Sequence, residues 1–255
     1  MAGQQTMTEF CEQVNPRVLL EMRRTRPFPD MLRVQQSWVA DAEKRALLWL
    51  AARTPERIGP DHLTVLGLIA QIGAGICYAL AAWDRRWLLG AIVCLALNWL
   101  GDSLDGTLAR VRERQRPRYG FYVDHMADSF GALALMAGLA ASGYMHPWIA
   151  AGLLVAFLML SIQSYLATHA LGEFRISFWK FGPTELRILL AAGNLALFWK
   201  PRVHFVFLGS FDVLGGEYRL FDIGGTIGLA GMALMIVFFT LQNTRRLYRE
   251  EKTPQ

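Results

Sequence analysis

Long apolar segments dominate this chain and limit what it can fold into. Hydrophobic residues make up 53% of the 255 residues and charged residues only 18%, below the quarter that is usual for soluble domains. A helix needs about 20 apolar residues to cross a bilayer. Six segments approach this length, and the fifth is the most polar; they lie at 63–82, 88–109, 120–142, 147–170, 184–200 and 222–242. The pattern predicts an all-α polytopic membrane protein with about six spanning helices, and argues against a large soluble helical bundle.

Four aspartates lie inside these segments, where an ionised carboxylate is costly and is usually kept for function. Asp102 and Asp105 lie near the end of the second segment, and Asp124 and Asp128 near the start of the third. Helical spacing puts each pair on one face of its helix. The basic stretch 111–119 must lie outside the membrane, so the two segments should form a hairpin whose acidic ends meet. Carboxylate oxygens are the ligands that hard divalent cations prefer, so the spacing predicts a metal site.

The residues around the aspartates follow a fixed order. The chain contains D-x2-D-G-x2-A-R-x9-G-x3-D-x3-D, whose fixed positions are Asp102, Asp105, Gly106, Ala109, Arg110, Gly120, Asp124 and Asp128. This order resembles the signature of the CDP-alcohol phosphotransferases, also called CDP-alcohol phosphatidyltransferases, which are integral membrane enzymes of phospholipid synthesis. All eight fixed positions match, and the resemblance extends over roughly residues 55–245.

The resemblance implies a reaction and a set of metal ligands. The family transfers a substituted phosphoryl group from a CDP-linked donor to an alcohol and releases CMP. By resemblance, Asp102, Asp105 and Asp124 would be metal ligands, and Asp128 would lie near the metals and act as general base. Two Mg²⁺ ions are expected, with Mn²⁺ as the alternative, because paired ions can clamp a pyrophosphate.

The resemblance also implies nucleotide contacts. Gly106 and Ala109 would allow close approach of the nucleotide, because a larger side chain would fill its space. Arg110 would pair with a phosphate, and Gly120 would leave room for cytidine or ribose.

A second segment with a functional interpretation begins the first span. Pro60, Asp61 and Thr64 look like the P-N-x-L-T segment that helps hold cytidine in the family, with Asp61 in place of the usual asparagine. Aspartate is also a good helix N-cap. The two interpretations of Asp61 are therefore nucleotide contact and capping of the first span.

The segment 181–188 gives opposite indications of the acceptor alcohol. Arg187 would suit an anionic acceptor and Glu185 a cationic one, and the two side chains could instead pair with each other. Pro183 and Thr184 should open a helix here. We expect CDP-diacylglycerol as the donor and a small polar alcohol as the acceptor. The alternatives are transfer from a CDP-aminoalcohol to diacylglycerol and, in a different class of protein, a cation transporter that uses the membrane aspartates.

The flanking regions predict a domain organisation. Residues 1–54 should form a cytoplasmic region ahead of the membrane domain 55–245, and residues 246–255 a cytoplasmic tail. Within the first region, 36–52 has an amphipathic pattern with Glu43 on its polar side. Such a helix either lies in the headgroup plane or packs on the protein.

Basic residues predict the orientation. The predicted topology places 21 of the 26 Lys and Arg on one side, together with the aspartates. The positive-inside rule assigns that side to the cytoplasm, so the site would face the cytoplasm from the inner membrane. The net charge of +5 suits an anionic lipid surface. Nucleic acid is not an expected partner, because the arginines flank membrane spans.

Two further features concern packing. Gly224 and Gly228 form a G-x-x-x-G pair, which favours a close helix contact within the subunit or between subunits. A homodimer is expected from the family resemblance only. Cys77 and Cys94 lie in spans without metal-ligand spacing and are predicted to be buried thiols.

Overall fold

The computed structural model describes residues 40–171, 183–199 and 219–250, and every regular element among them is a helix. The seven helices are α1 (Ala40–Arg53), α2 (Pro60–Ala81), α3 (Trp87–Val111), α4 (Pro117–Ala141), α5 (Pro147–Leu171), α6 (Pro183–Trp199) and α7 (Leu220–Glu250). Four of them, α2, α3, α5 and α7, are long and apolar enough to cross a membrane. Helices α4 and α6 occupy the third and fifth predicted spans. The prediction of an all-α polytopic membrane protein is confirmed.

Proline marks where four helices begin, namely α2, α4, α5 and α6. Its fixed φ suits the first helical turn, where a backbone N–H has no partner inside the helix. Helix α2 is capped by Gly59, whose N–H donates to Nδ1 of His62 at 3.0 Å. The interpretation of Asp61 as the N-cap is therefore wrong: the helix begins at Pro60, its N-cap Gly59 lies two residues before Asp61, and Asp61 lies inside the first turn.

Helix α2 packs against both acid-bearing helices. A Cβ added to Gly101 of α3 would lie 2.6 Å from the backbone nitrogen of Gly67 in α2, and one added to Gly138 of α4 would collide with the carbonyl of Gly75. Glycines at such crossings let helix backbones approach closely. Helix α2 is thereby a shared support for α3, where the contact adjoins Asp102, and for α4, where it lies near the far end of the helix.

The interior contains one large apolar cluster and a smaller one. The large cluster includes Tyr78, Leu88 and Leu139, all fully buried. Within it, Nδ2 of the buried Asn194 donates to the hydroxyl of Tyr78 at 2.9 Å and so ties α6 to α2. The thiol of Cys77 is buried, as expected, whereas Cys94 is only partly buried.

Helix α1 packs on the protein. Leu47 and Ala51 are buried in the smaller cluster, together with Leu63, Leu104 and Leu108 of α2 and α3. This packing is the second of the two expected alternatives. Leu48 and Trp49 lie exposed on the outer side of α1, and their contact with a membrane surface stays a prediction.

The turn between α1 and α2 is fastened to the end of α3. The guanidinium of Arg112 donates to the carbonyls of Thr54, Pro55 and Ile58 at 2.6 to 3.0 Å. The next residue, Glu113, adopts a positive φ of 54°, which lets the chain reverse before α4. This fastening brings the start of α2 next to the end of α3 and the start of α4.

Helix α7 contacts α5 within the subunit. A Cβ on Gly225 would lie 2.7 Å from Ile149, and one on Gly228 would lie 3.6 Å from Leu153, whereas Gly224 faces open space. The close contact is therefore centred on Gly225 rather than on the first glycine of the predicted pair. Formation of a homodimer stays a prediction.

Candidate active site

Three aspartates from two helices converge. Carboxylate oxygens of Asp102 on α3 and of Asp124 and Asp128 on α4 all lie within 4.8 Å of one another. Mg²⁺ binds oxygen at about 2.0–2.1 Å, so opposite ligands of one ion are roughly 4.2 Å apart. Adjacent ligands of the octahedral ion are roughly 3 Å apart, so the three oxygens, which can include at most one opposite pair, would have to move closer together to hold one ion. Their number, chemistry and spacing fit a hard divalent cation.

A small cavity lies between the three carboxylates and α2. Its volume is about 10 Å³, which is roughly the room that one water molecule needs. It is lined by Thr64, Gly67, Leu68, Gln71, Asn98, Asp102, Asp124, Ala127 and Asp128. A space of this size suits an ion or a water, so a nucleotide or a lipid would have to bind outside it.

The fourth aspartate lies beside this group rather than in it. The hydroxyl of Thr64 on α2 donates to Oδ2 of Asp105 at 2.6 Å, and Asp105 is not among the three carboxylates that converge. One helical turn separates it from Asp102, toward the end of α3. A ligand role for Asp105 therefore stays a prediction, and the structure assigns Thr64 a partner that the sequence did not indicate.

A cation compensates the charge of Asp102. Nη2 of Arg187, on α6, lies 2.6 Å from Oδ2 of Asp102, and the Arg187 and Asp102 side chains are only 14% and 24% exposed. Nε of the same arginine donates to Oδ1 of Asn98 at 2.8 Å. The planar guanidinium can serve two acceptors at once in a fixed geometry. Arg187 therefore connects α6 to the metal-site face of α3.

Asn98 extends this network to α2. Its side chain is buried, and its amide nitrogen donates to the carbonyl of Gly67 at 3.0 Å and to Oε1 of Gln71 at 3.2 Å. Sequence reasoning missed Asn98, although it is a polar residue in an apolar run one turn before Asp102 and hence on the same face. The four-residue spacing between Asn98 and Asp102 was the signal in the sequence that could have identified Asn98 as part of the site.

Open space adjoins the glycines of the motif. A Cβ added to Gly106 or to Gly120 would meet no atom within 4 Å. Ala109 is half-buried, and the exposed Arg110 donates from Nη2 to the hydroxyl of Thr107 at 3.2 Å. The predicted nucleotide-contacting positions of α3 and α4 are therefore next to free volume.

Asp61 pairs with a basic residue at the start of α4. Nη2 of Arg116 lies 2.5 Å from Oδ2 of Asp61, and both side chains are about half exposed. The guanidinium also lies 4.2 Å from the ring centroid of Tyr119. The hydrogen bond from Arg116 to Asp61 raises the pKa of the guanidinium above its usual value. The carboxylate of Asp61 is thus neutralised by a neighbour, and Pro60 begins the helix beside it.

Glu43 is a second residue that sequence reasoning missed. The amphipathic pattern placed it on the polar side of α1, facing solvent. Instead its Oε1 accepts hydrogen bonds from α3 and from Thr184 on α6. Helical periodicity separates polar from apolar faces, but it does not distinguish a solvent-facing acid from one that faces a polar site.

The chain was compared with protein families and with curated proteins. The family described as CDP-alcohol phosphatidyltransferase matches residues 57–240. The matched region begins after α1, covers α2 to α6 entirely and includes most of α7. A search of curated proteins found no match.

Proposed function

The chain belongs to the CDP-alcohol phosphatidyltransferase family, and on this premise we propose that it transfers a phosphatidyl group from CDP-diacylglycerol to a small polar alcohol and releases CMP. Membership makes the protein a membrane transferase of substituted phosphate groups that uses CDP-alcohol donors and alcohol acceptors. The identities of donor and acceptor are the proposal. The observation that carries the metal-dependent transfer is the convergence of Asp102, Asp124 and Asp128 where α3 ends and α4 begins.

The proposed metal ligands are these three carboxylates, with Asp105 as the fourth. Bound Mg²⁺ ions, or Mn²⁺ in their place, would neutralise the pyrophosphate of the donor and the charge that develops on the attacking and leaving oxygens. The family generally uses divalent metal, and carboxylate oxygens are the ligands that such hard ions select. The number of ions, two, comes from the family resemblance.

The proposed chemical step centres on Asp128. Its carboxylate accepts the proton of the acceptor hydroxyl, so the acceptor oxygen can bond to the phosphorus of the phosphatidyl group. The bond from that phosphorus to the CMP oxygen breaks as the new bond forms. Asp128 lines the cavity together with the other two carboxylates, and this supports the role of a proton acceptor beside the proposed metal ions.

The proposed nucleotide contacts surround this centre. Gly106, Ala109 and Gly120 leave space for cytidine and ribose, and the free volume next to both glycines supports this assignment. Arg110 contacts a phosphate of the donor. The start of α2 supplies the remaining candidates, which are Pro60, Asp61 and Thr64.

The acceptor is proposed to be a small polar or anionic alcohol. Arg187 contacts Asp102 directly, so its cationic group lies beside the carboxylates at which the acceptor hydroxyl is proposed to react. Glu185, the cationic-acceptor candidate, lies in the first turn of the same helix. The position of Arg187 favours phosphatidyl transfer over the alternative in which diacylglycerol is the acceptor.

The proposed setting is the cytoplasmic membrane. The protein is integral to a membrane, and the excess of basic residues on the side of the aspartates supports an active site that faces the cytoplasm. A homodimer is proposed from the family alone.

The deciding experiment identifies products from purified protein in lipid nanodiscs. The enzyme is offered CDP-diacylglycerol with a panel of alcohols, or a CDP-aminoalcohol with diacylglycerol, and lipid products and CMP are measured by mass spectrometry. We expect Mg²⁺-dependent CMP release from CDP-diacylglycerol only, abolished by a chelator. CMP release from the CDP-aminoalcohol alone would reverse the donor assignment. Cation flux into proteoliposomes with no CMP from either donor would favour the transporter alternative.

A further inference from the structure

A carboxylate outside the family-matched region joins α3, which carries Asp102, to α6, which carries Arg187. Oε1 of Glu43, on α1, lies 2.8 Å from Nε1 of Trp99, 2.8 Å from the hydroxyl of Thr184 and 3.4 Å from the hydroxyl of Ser103. Trp99 and Ser103 belong to α3, and Thr184 to the first turn of α6. All three groups are donors, and one oxygen of Glu43 accepts from each of them.

These contacts run beside the connection made by Arg187. Asn98 and Asp102, which hold Arg187, directly precede Trp99 and Ser103 in α3. Thr184 lies three positions before Arg187 in α6, which places it one turn away on the same side of the helix. Helices α3 and α6 are therefore joined twice, once through Arg187 and once through Glu43.

Helix α1 holds Glu43 in place without the help of its carboxylate. Leu47 and Ala51 lie one and two turns after Glu43, on the same side of α1, and both are buried against Leu104 and Leu108 of α3. Apolar packing thus attaches α1 to α3. Removing the carboxylate leaves this attachment in place but takes away the acceptor that holds the start of α6.

We propose that Glu43 is a positioning residue of the active site: it fixes the first turn of α6 against α3, so that Arg187 orients Asp102 for metal binding. The inference rests on the proposed function, and it extends the site to a helix that precedes the family-matched region. Groups that orient metal ligands from outside the coordination sphere change metal affinity or activity by about 10- to 100-fold when they are removed.

The test compares Glu43→Ala and Glu43→Gln with Lys44→Ala, which alters the exposed neighbouring residue. We measure kcat and KM for CMP release and, separately, Mg²⁺ affinity by calorimetry. Glu43→Ala should lower kcat and weaken Mg²⁺ binding by up to about tenfold, the lower end of the range for groups that contact a metal ligand directly, with little change in KM for the donor. Glu43→Gln keeps an amide oxygen as acceptor and should restore most of both. Lys44→Ala should match the wild type.

A double-mutant cycle tests the route of the effect. If Glu43 acts through Arg187, Glu43→Ala should change Mg²⁺ affinity little in an Arg187→Ala background. An undiminished effect there would overturn the inference, as would wild-type kcat and Mg²⁺ affinity in Glu43→Ala. Equal impairment of the Ala and Gln variants would show that charge rather than positioning is required, and would overturn it too.

Two further measurements separate failure of the Glu43 inference from misfolding of a variant and from failure of the proposed function. Should Glu43→Ala not purify as a folded protein, Thr184→Val removes only the α6 donor and is expected to weaken Mg²⁺ binding in the same direction; unchanged binding there would contradict the inference. A wild-type protein that binds Mg²⁺ but releases no CMP would refute the proposed function alone, because the Mg²⁺ affinities of the variants still decide the role of Glu43.

Discussion

At the scale of single residues, the aspartates of the site have different polar neighbours. Asp102 has the guanidinium of Arg187 at 2.6 Å, and Asp105 accepts from the hydroxyl of Thr64. Asp128 lines the small cavity, as do Asp102, Asp124 and several residues of α2. An acid held near other acids has to be neutralised by protonation or by a cation. The arrangement therefore favours a bound divalent ion and a proton acceptor at one place.

Replacing the proposed base separates chemistry from binding. Asp128→Asn keeps the size of the side chain but removes its ability to take a proton. We expect turnover to fall by a factor of about 10² or more, which is within the range for a lost general base, while CDP binding measured by calorimetry stays detectable. A near-normal rate of CMP release would rule out the base role, and Glu113→Gln, on the exposed turn after α3, serves as control.

Replacing Arg187 tests the acceptor site. Arg187→Ala leaves Asp102 and Asn98 without their shared donor, and a buried charge without its partner is costly. We expect KM for the acceptor to rise by about tenfold or more, as for a lost charged contact of roughly 1.4 kcal/mol. Unchanged affinity for every acceptor tested would remove Arg187 from the acceptor site. Arg187→Lys should recover less than half of the lost affinity, since an ammonium cannot serve both acceptors in the same plane.

At the scale of helices, the packing of α2 against α3 and α4 determines where the aspartates lie. The sequence placed the helices well, because apolar runs and prolines mark their extents. The spacing of the aspartates predicted that acids of α3 and α4 would meet, but it did not indicate that Asp105 would lie beside the other three. The sequence did not indicate that α2 would support both α3 and α4. That support depends on close approach at Gly67, Gly101, Gly75 and Gly138, and a single sequence does not say which glycines face one another. Asn98 and Glu43 were missed for a related reason, since their roles depend on tertiary neighbours.

Two glycines of α3, five residues apart, give a matched test of this packing. Gly101→Ala would place a Cβ 2.6 Å from the backbone of α2, whereas Gly106→Ala would meet nothing within 4 Å. We expect Gly101→Ala to destabilise the protein by about 1–3 kcal/mol, as overpacking does, and to lower the thermal midpoint. Gly106→Ala should leave the midpoint unchanged or raise it, since alanine favours helix over glycine.

The same pair distinguishes packing from substrate contact. Gly106→Ala should raise KM for the CDP-linked donor if the free volume next to Gly106 receives the nucleotide. A normal KM in this variant would remove Gly106 from the nucleotide site. Equal thermal midpoints for the two variants would contradict the close approach of α2 and α3 at Gly101.

At the scale of the whole molecule, polar and apolar groups are segregated along the helices. Many large apolar side chains of α2, α3, α5 and α7 are exposed, among them Ile69, Val93, Val155 and Leu234, and these are the helices that can cross a membrane. The charged side chains of the site lie where α3 ends and where α4 and α6 begin. Lipid can cover the apolar surface, while the site remains open to a nucleotide at the membrane boundary.

Metal binding should stabilise the whole fold, because the carboxylates that it joins come from different helices. The carboxylates of Asp102, Asp124 and Asp128 lie within 4.8 Å of one another across α3 and α4, and Arg187 is paired with Asp102. An ion that binds only the folded state raises the free energy of unfolding by RT ln(1 + [L]/Kd), about 2.7 kcal/mol at a hundredfold excess of ion over Kd. We expect Mg²⁺ to raise the thermal midpoint of detergent-solubilised protein and a chelator to reverse the change.

Asp124→Asn should abolish the Mg²⁺ response and, because one repelling charge is gone, should unfold at a higher temperature than the metal-free wild type. Asp222→Asn, which alters an acid at the start of α7 far along the chain from the site, controls for ionic strength and should keep the full response. A response of equal size in Asp124→Asn would mean that Mg²⁺ stabilises the protein from somewhere other than the three converging carboxylates.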